Sequence, residues 1–327
     1  MKTILALETS CDETAVAILR GRELLATEVA SQIAAHEKYG GVVPEIASRN
    51  HLVHAPALLE RATRDANIDI SEVDAFASTS GPGLASSLMI GASIAKGLAI
   101  GFGKPYLAIN HLEGHLLSPF FDEAEVRWNV SLIVSGGHTM SIFVRGPGDY
   151  EVIGRTVDDA AGEAFDKVAK MLGLGYPGGP EVERRARGGD PKRFDLPRSM
   201  LNSDNFSFSG LKTAVRYLLP KLQGDFVPDL CASFQQAIFD VLVRKTVAAA
   251  QRYKVDLVTV SGGVSCNQEL RRQLREACEK EGLKFKSAEP WLCTDNAAMI
   301  AFAASLQLEA GLKSNITQEI DPNLALA

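Results

Sequence analysis

The sequence predicts an α/β protein of two lobes that share one plan, and three patterns lead to that fold class. The chain has 327 residues, which exceeds the usual size of one domain, so two cores are expected. An apolar run, a small polar turn and a second apolar run occur near the start and again from residue 130, which indicates a hairpin at the front of each half. Behind each hairpin, strand-like and helix-like segments alternate, as in a mixed or parallel sheet covered by helices.

In the first half, the hairpin is predicted from residues 4–7 and 15–19, around a turn at 9–14. The elements expected after it are a helix at 44–66, a strand at 74–79, an Ala-rich helix at 84–100, a strand at 105–109 and a helix that begins at His111. This order places the first lobe at residues 1–127.

In the second half, the hairpin is predicted from residues 130–134 and 140–144, around a turn at 135–139. The later elements are helices at 159–172, 230–253, 268–281 and 296–311, and a strand at 256–260. We place the second lobe at 128–327, and we consider that the helix within 295–327 packs back near a cleft between the lobes. Residues 173–228 lose periodicity in favour of Gly, Pro and charge, so we interpret them as an insertion with a functional role, with a tolerated surface excursion as the alternative.

The composition is that of an ordinary globular protein, with 46% hydrophobic and 23% charged residues. Five cysteines without a CxxC pair indicate reduced thiols in a cytosolic protein. The first apolar run meets Glu8 too early for a signal peptide or a membrane span, so we expect a cytoplasmic chain that does not enter a membrane. The net charge of −6 means that a nucleic acid would need a local basic patch or a basic partner.

Basic residues are concentrated in the stretch 184–198, and they could contact phosphate. Charged runs are more often simply solvated.

Three glycine-rich turns follow predicted strands, at residues 81–83, 135–137 and 261–263. Glycine lets backbone amides approach a phosphate, and a following helix N-terminus adds partial positive charge. Each turn alone is more often an ordinary strand-to-helix connection, but three together favour a nucleotide-binding cleft. Neither a P-loop nor a GxGxxG fingerprint is present, which disfavours those two classes.

His111 and His115 lie four residues apart at the start of a predicted helix, which places both imidazoles on one face where they could hold one metal ion. A pair of surface or N-terminal-turn histidines is the alternative. Leu112 stands where a metalloprotease of the HExxH type needs its glutamate, so that class is disfavoured. Asp295 is the candidate third ligand, and helix capping is its alternative role.

These elements resemble the tRNA N6-adenosine threonylcarbamoyltransferase family of the bacterial TsaD type, formerly described as glycoprotease-like. The matching segments occur in family order at residues 8–14, 40–45, 81–84, 111–115, 135–139, 159–166, 176–180, 206–212, 262–264 with Asn267, and 293–296.

The resemblance implies the actin-like (ASKHA) fold, with duplicated RNase H-like lobes and a cleft between them. It implies one divalent ion, Fe²⁺ or Zn²⁺, bound by His111 and His115 from the first lobe and by Asp295 from the second. The residues it implies for adenylate binding are Ile133, Val134, Ser135, Gly136, Gly137, Asp166, Gly179, Glu183 and Asn267.

The implied reaction transfers threonylcarbamoyl from threonylcarbamoyl-AMP to an adenosine of tRNA. Asp12 or Glu13 could assist proton removal. The implied partners are tRNA, a catalytically silent paralogue (TsaB) and a small ATPase (TsaE), with the helices at 44–66 and 85–101 as candidate contacts for the paralogue. An ATPase or kinase of the same fold and a non-catalytic nucleotide-binding scaffold remain as alternatives.

Overall fold

The structure is a computed structural model that describes residues 1–326. The chain divides into two compact units. The first unit comprises Met1–Val126 together with the C-terminal segment from Thr294, and the second comprises Arg127–Cys293.

The first unit contains a five-stranded mixed sheet with the strand order β3-β2-β1-β4-β5. Its strands are β1 (Thr3–Glu8), β2 (Glu13–Arg20), β3 (Glu23–Ser31), β4 (Ala75–Gly81) and β5 (Tyr106–Asn110). Strands β1 to β3 form an antiparallel meander, while β4 and β5 add in parallel to β1. Strand β1 is buried on both faces, which explains its uninterrupted apolar run.

Helices cover this sheet. They are α1 (Ile33–Glu37), α2 (Pro44–Asp65), α3 (Ala85–Phe102) and α4 (His111–Leu117), with 3-10 turns at Ile70–Glu72 and Ser118–Phe120. One apolar core joins the sheet to α2 and α3, with Leu5, Ile18, Leu58 and Ala95 among its buried members. The last helix of the chain, α11 (Ala297–Glu309), also belongs to this unit and packs on β1, β2 and α4.

The second unit repeats the plan with a sheet in the order β10-β9-β6-β7-β8. Its strands are β6 (Asn129–Val134), β7 (Thr139–Gly146), β8 (Asp149–Arg155), β9 (Leu257–Ser261) and β10 (Lys284–Ser287). Strands β6 to β8 are antiparallel, and β9 and β10 are parallel to β6. Because both sheets share strand order and direction, the predicted duplicated α/β architecture is confirmed.

The helices of the second unit are α5 (Ala161–Met171), α6 (Gly178–Ala186), α7 (Ser209–Leu218), α8 (Val227–Tyr253), α9 (Gln268–Lys280) and α10 (Pro290–Cys293), with 3-10 turns at Leu219–Lys221 and Gly263–Cys266. Helices α6 and α7 lie in the stretch 173–228, where the sequence pattern indicated no helix. Val182, Phe206 and Leu211 from this stretch are buried in the core of the unit. The stretch therefore helps to build the core, and the alternative of a surface excursion is wrong.

Helix α3 is apolar and long enough, at 18 residues, to cross a membrane by length and composition. Helices in the interior of globular proteins pass the same test. Here Leu88, Ala95 and Ala99 are buried in the first unit, so one face of α3 packs on the sheet, while Met89 and Ile100 are exposed.

Candidate functional site

Helix α4 carries the two histidines that the spacing predicted to share one face. Asn110 begins the helix, and its side-chain oxygen accepts a hydrogen bond from the backbone N–H of Leu112 at 2.8 Å, which satisfies one of the free amides of the first turn. His111 and His115 then lie one turn apart, with ring centroids 4.7 Å apart and ring planes at 87°. Both are buried, so the alternative of two surface histidines is wrong.

Asp295 approaches this pair because α11 packs directly on α4. A Cβ at Gly114 would lie 2.9 Å from Ile300 Cδ1 and 3.0 Å from Met299 Cγ, so a larger residue here would push against the side chains of α11. The N-cap of α11 is Asn296, whose side chain accepts from the backbone N–H of Met299 at 2.9 Å. Capping is thus done by the neighbour of Asp295. Asp295, which we expected from the second lobe, lies in the same unit as the histidines.

The three side chains present a donor set that fits a metal ion. Asp295 Oδ1 lies 3.5 Å from His111 Nε2 and 3.3 Å from His115 Nε2, and one ligand atom from each residue falls within 4.8 Å of the others. Donors around a tetrahedral ion with bonds of about 2.0–2.1 Å are about 3.4 Å apart. Two imidazoles and one carboxylate therefore match a three-ligand site with room for a further ligand.

Glu8 lies behind this cluster, and the sequence analysis gave it no role. Its carboxylate is fully buried. Its Oε2 accepts from Nδ1–H of His111 at 3.1 Å and from the hydroxyl of Thr79 at 2.5 Å, and Oε1 accepts from the backbone N–H of Ser10 at 2.5 Å. A carboxylate that holds Nδ1–H of a histidine leaves Nε2 free to bind a metal and fixes the ring orientation. The sequence feature that could have indicated this role is the position of a glutamate at the end of the apolar strand β1.

The charges in this cluster shift the pKa values of its members. Burial lowers the pKa of His111, but Asp295 and Glu8 outweigh burial and raise it to about 9. Burial raises the pKa of Glu8, and the adjacent His111 more than offsets this and lowers it. Burial lowers the pKa of His115. The metal-free cluster at neutral pH thus carries a proton on His111 that a metal ion must displace.

Asp12 and Glu13, the two candidate proton acceptors, occupy the turn after β1 and the start of β2. Burial raises the pKa of Asp12, and burial raises that of Glu13 to about 7. Glu13 Oε1 accepts from the hydroxyl of Ser31 at 2.8 Å, while its buried Oε2 has no hydrogen-bond partner among residues 1–326. Negative charge from Asp295 contributes to both shifts, so the two carboxyls share the electrostatic environment of the metal cluster.

The residues implied for adenylate binding all lie in the second unit, and local contacts connect them. Val134 ends β6, and a Cβ at Gly262 would lie 2.6 Å from its carbonyl oxygen, so the two glycine-rich turns of this unit adjoin. A Cβ at Gly162 would lie 2.5 Å from the carbonyl oxygen of Ser135, which brings the start of α5 against the first of these turns. Nothing lies within 4 Å of the Cβ position of Gly136 or of Gly137, so this turn has an open side.

Further hydrogen bonds connect the remaining residues implied for adenylate binding, which lie on α5, on α6 and at the start of α9. Asp166 Oδ1 accepts from the backbone N–H of Gly178 at 2.7 Å, which places Gly179 beside it at the start of α6. Glu183 Oε1 accepts from the N–H of Gln268 at 3.0 Å. Asn267 caps α9 through its side-chain oxygen. The structure therefore brings the predicted residues of this unit into one neighbourhood.

A cavity of about 410 Å³ opens beside Glu183. Its lining includes Arg187, Gln235, Gln268 and Arg272. Of these, Gln235 lies 3.4 Å from Asn267 through their side-chain amides. The cavity was not predicted from the sequence, because its walls come from α6, α8 and α9, which are distant along the chain.

The third glycine-rich turn, at residues 81–83, packs against the backbone of the first unit. A Cβ at Gly81 would lie 1.9 Å from the carbonyl oxygen of Asp321, and one at Gly83 would lie 2.6 Å from that of Ser10. The backbone of the first unit itself thus fills both positions, and glycine is needed there for packing.

Half of the basic residues in the stretch 184–198 are paired within the chain. Arg184, Arg193 and Arg198 form ion pairs with Glu181, Asp229 and Asp240. Arg187 and Lys192 are exposed. The basic stretch therefore offers fewer free cations than its sequence suggests.

Comparison with known proteins extends these observations. The family model of TsaD, tRNA N6-adenosine threonylcarbamoyltransferase, matches residues 23–302. A protein of that name from Thermosipho africanus is 46% identical over 99% of both chains, and one from Paracidovorax citrulli is 51% identical over 94% of this chain and 92% of its own.

Two solved structures share the fold at low sequence identity. HypF superposes with a TM-score of 0.67 at 14% identity, over 96% of this chain and 47% of that one. A ROK hexokinase from Thermus thermophilus superposes with a TM-score of 0.54 at 16% identity, over 94% of this chain and 100% of its own. The actin-like fold class implied by the resemblance is confirmed. With a family match across most of its length and relatives near half identity, the chain belongs to the tRNA N6-adenosine threonylcarbamoyltransferase family.

Proposed function

We propose that this chain transfers the threonylcarbamoyl group from threonylcarbamoyl-AMP to N6 of the adenosine next to the anticodon, in tRNAs that read codons beginning with A. The observation that carries the proposal is the family match over residues 23–302. In this reaction the exocyclic amine attacks the carbamoyl carbon, the bond from that carbon to the phosphate oxygen breaks, AMP leaves and the amine loses one proton.

His111, His115 and Asp295 would hold one divalent ion, Fe²⁺ or Zn²⁺. Two imidazoles and a carboxylate with an open position suit both ions. When bound, the ion supplies Lewis-acid stabilisation of negative charge on substrate oxygens. Glu8 holds His111 in the tautomer that presents Nε2 to the ion, through the hydrogen bond of 3.1 Å to Nδ1–H.

The adenylate would bind in the second unit. The turn after β6, from Ile133 and Val134 through Ser135, Gly136 and Gly137, has open space at both glycines, and backbone amides at such a turn suit a phosphate. Asp166, Gly179, Glu183 and Asn267 would contact the rest of the nucleotide. Glu183 lines the adjacent cavity, Asn267 contacts Gln235 of the same lining, and Asp166 holds the first residue of α6.

Glu13 is the better candidate of the two carboxyls for accepting the proton of the attacking amine. A general base is most effective when its pKa lies near the working pH, and burial raises the pKa of Glu13 to about 7. Its unpartnered Oε2 leaves an acceptor free. Asp12 would then orient the reacting groups.

The net charge of −6 indicates that tRNA binding needs help from partners, for which the family provides TsaB and TsaE. Exposed apolar side chains on α2 and α3, among them Val53, Met89 and Ile100, are the proposed contact for the TsaB paralogue, because large exposed apolar side chains favour protein interfaces. We also infer that the reaction takes place in the cytoplasm, because its substrate is a tRNA.

A reconstituted assay tests the proposal. Labelled threonine, bicarbonate, ATP and tRNA are incubated with the adenylate-forming enzyme, this chain and the two partners, and incorporation into tRNA is measured with each protein omitted in turn. His111→Ala should abolish both metal binding and transfer, while His54→Ala, the same change on α2, should preserve them. If transfer persists when this chain is omitted, the chain is not the transferase, and a scaffold role is what remains for it. Steady ATP hydrolysis without tRNA would favour an ATPase.

A further inference from the structure

Two of the five cysteines contact each other in the second unit. Cys266 ends the 3-10 turn after β9 and Cys293 ends α10, and their side chains interact with each other. Both thiols also face the same turn of backbone, because Cys266 Sγ lies 3.8 Å from the carbonyl oxygen of Pro290 and Cys293 Sγ lies 3.3 Å from that of Glu289. The sequence separates the pair by a helix and a strand, so its spacing gave no sign of this contact.

The sulfur of Cys293 lies beside a guanidinium group that has no carboxylate partner among the described residues. Arg271 Nη2 is 3.3 Å from Cys293 Sγ, and the hydroxyl of Ser265 is 3.2 Å from the same sulfur. The other donors of Arg271 reach neutral oxygens of Ser265, Ser287 and Ala288. A cation in this position stabilises negative charge on sulfur during exchange reactions.

The two thiols differ in their access to solvent. Cys266 is partly exposed, whereas Cys293 is buried. A reagent from solution therefore reaches Cys266 first. Cys293 is positioned to react with the mixed disulfide that forms on Cys266. This is the arrangement of an attacking and a resolving cysteine.

We propose that Cys266 and Cys293 form a reversible disulfide by exchange with a low-molecular-weight disulfide such as oxidised glutathione. Cys266 sulfur attacks the reagent, its S–S bond breaks and one reduced thiol leaves with the proton of Cys266. Cys293 sulfur then attacks the mixed disulfide, and the second reduced thiol leaves with the proton of Cys293. The pair is oxidised by two electrons, and the reagent is reduced to two thiols.

The bond would close a loop that contains α9, β10 and α10. It would attach the residue before Asn267, the cap of α9, to the last residue of the second unit. Oxidation would thereby link the thiol redox state to the segment that carries a proposed adenylate contact. This consequence rests on the proposed function, whereas the disulfide itself does not.

Counting thiols in the folded protein tests the proposal. The reduced chain contains five free cysteines. After incubation with oxidised glutathione, desalting and denaturation, we expect three titratable thiols, a mass lower by two hydrogens, and a cross-linked peptide that joins Cys266 to Cys293. Dithiothreitol should restore all five. Five remaining thiols, or a cross-link between another pair, would overturn the proposal regardless of transferase activity.

Single variants separate the roles of the two sulfurs. Cys293→Ser should keep one glutathione on Cys266, because the resolving thiol is gone, and Cys266→Ser should form no cross-link. Cys278→Ser, a buried thiol of the same unit that contacts neither sulfur, is the matched control and should still form the Cys266–Cys293 bond. Circular dichroism confirms that each variant is folded. An unmodified Cys266 in the Cys293→Ser variant would contradict the proposed order of attack.

Discussion

Replacing Glu8 by glutamine tests how the metal cluster is organised. The substitution keeps the size of the side chain and removes the charge that accepts Nδ1–H of His111 at 3.1 Å. Thr79 and the backbone N–H of Ser10 already donate to the same carboxylate. An amide cannot accept from all three donors at their present positions, because its NH₂ group is itself a donor. If that group faces His111, Nδ1 must accept its hydrogen bond, and the proton that stays on the imidazole then lies on Nε2, the atom that faces Asp295.

The expected magnitude follows from the behaviour of such supporting carboxylates. Removing one typically weakens metal binding by about 10-fold to 100-fold, which corresponds to about 1.4–2.7 kcal/mol. We expect the upper part of this range, because Glu8 is fully buried and makes a direct contact with the ligand. The assay is a competition titration of metal-free protein with Zn²⁺ against a chromophoric chelator.

Glu113→Gln is the matched control for Glu8→Gln. Glu113 is also a buried carboxylate and lies on α4 between the two histidines, but its Oε2 accepts from the side chain of Gln307 at 2.9 Å. The control should bind Zn²⁺ within about twofold of the wild-type chain, since Glu113 accepts from Gln307 on the adjacent helix α11 and Glu8 accepts from His111 itself. Equal affinities for wild type and Glu8→Gln, with both variants folded, would refute this account of the cluster.

Three further outcomes are expected. Gly114→Ala should destabilise the chain by about 1–3 kcal/mol through overpacking against α11, whereas Gly97→Ala, on an exposed helix position with nothing within 4 Å, should stabilise it by about 0.5–1 kcal/mol; chemical denaturation measures both. Burial raises the pKa of Glu13 to about 7 from its usual 4.5, so its ionisation costs stability as pH rises between these values. The free energy of unfolding of Glu13→Gln should therefore increase relative to that of the wild-type chain as pH rises from 4.5 to 7, by at most about 3 kcal/mol before solvent screening. A difference between the two denaturation midpoints that stays constant over this pH range would contradict this. The affinity for Zn²⁺ should rise about tenfold per pH unit between pH 7 and 8, because the His111 proton must leave; a pH-independent constant would show that His111 is already neutral.

Much of the fold could be predicted from local patterns. Both hairpins, α3, α4, α5, α8, α9 and the strands β4, β5 and β9 lie within a few residues of their predicted bounds, because their apolar periodicity is strong. Strands β3 and β8 were not predicted, since each is an edge strand with mixed burial. Helices α6 and α7 were not predicted, because Gly, Pro and charged residues interrupt the apolar periodicity of this stretch. Their helical state depends on packing against α5 and α8, which no local window contains.

The site shows the same division. The spacing of His111 and His115 predicted that both side chains share one helical face, because four residues are about one helical turn. Nothing in the spacing of Asp295 distinguished a candidate ligand from a helix cap. In the structure Asn296 makes the capping hydrogen bond, so the predicted capping role falls to the neighbour of Asp295.

The sequence by itself determined the α/β class, the repeated hairpins, the family and the identity of the chemical groups, because these follow from residue order and short-range periodicity. Only the tertiary structure decided that Asp295 joins the histidines within one unit, that Glu8 supports them and that Cys266 meets Cys293. Each of these contacts joins residues far apart along the chain. Their distances are set by how helices pack on the two sheets, and helix packing is a property of the whole core.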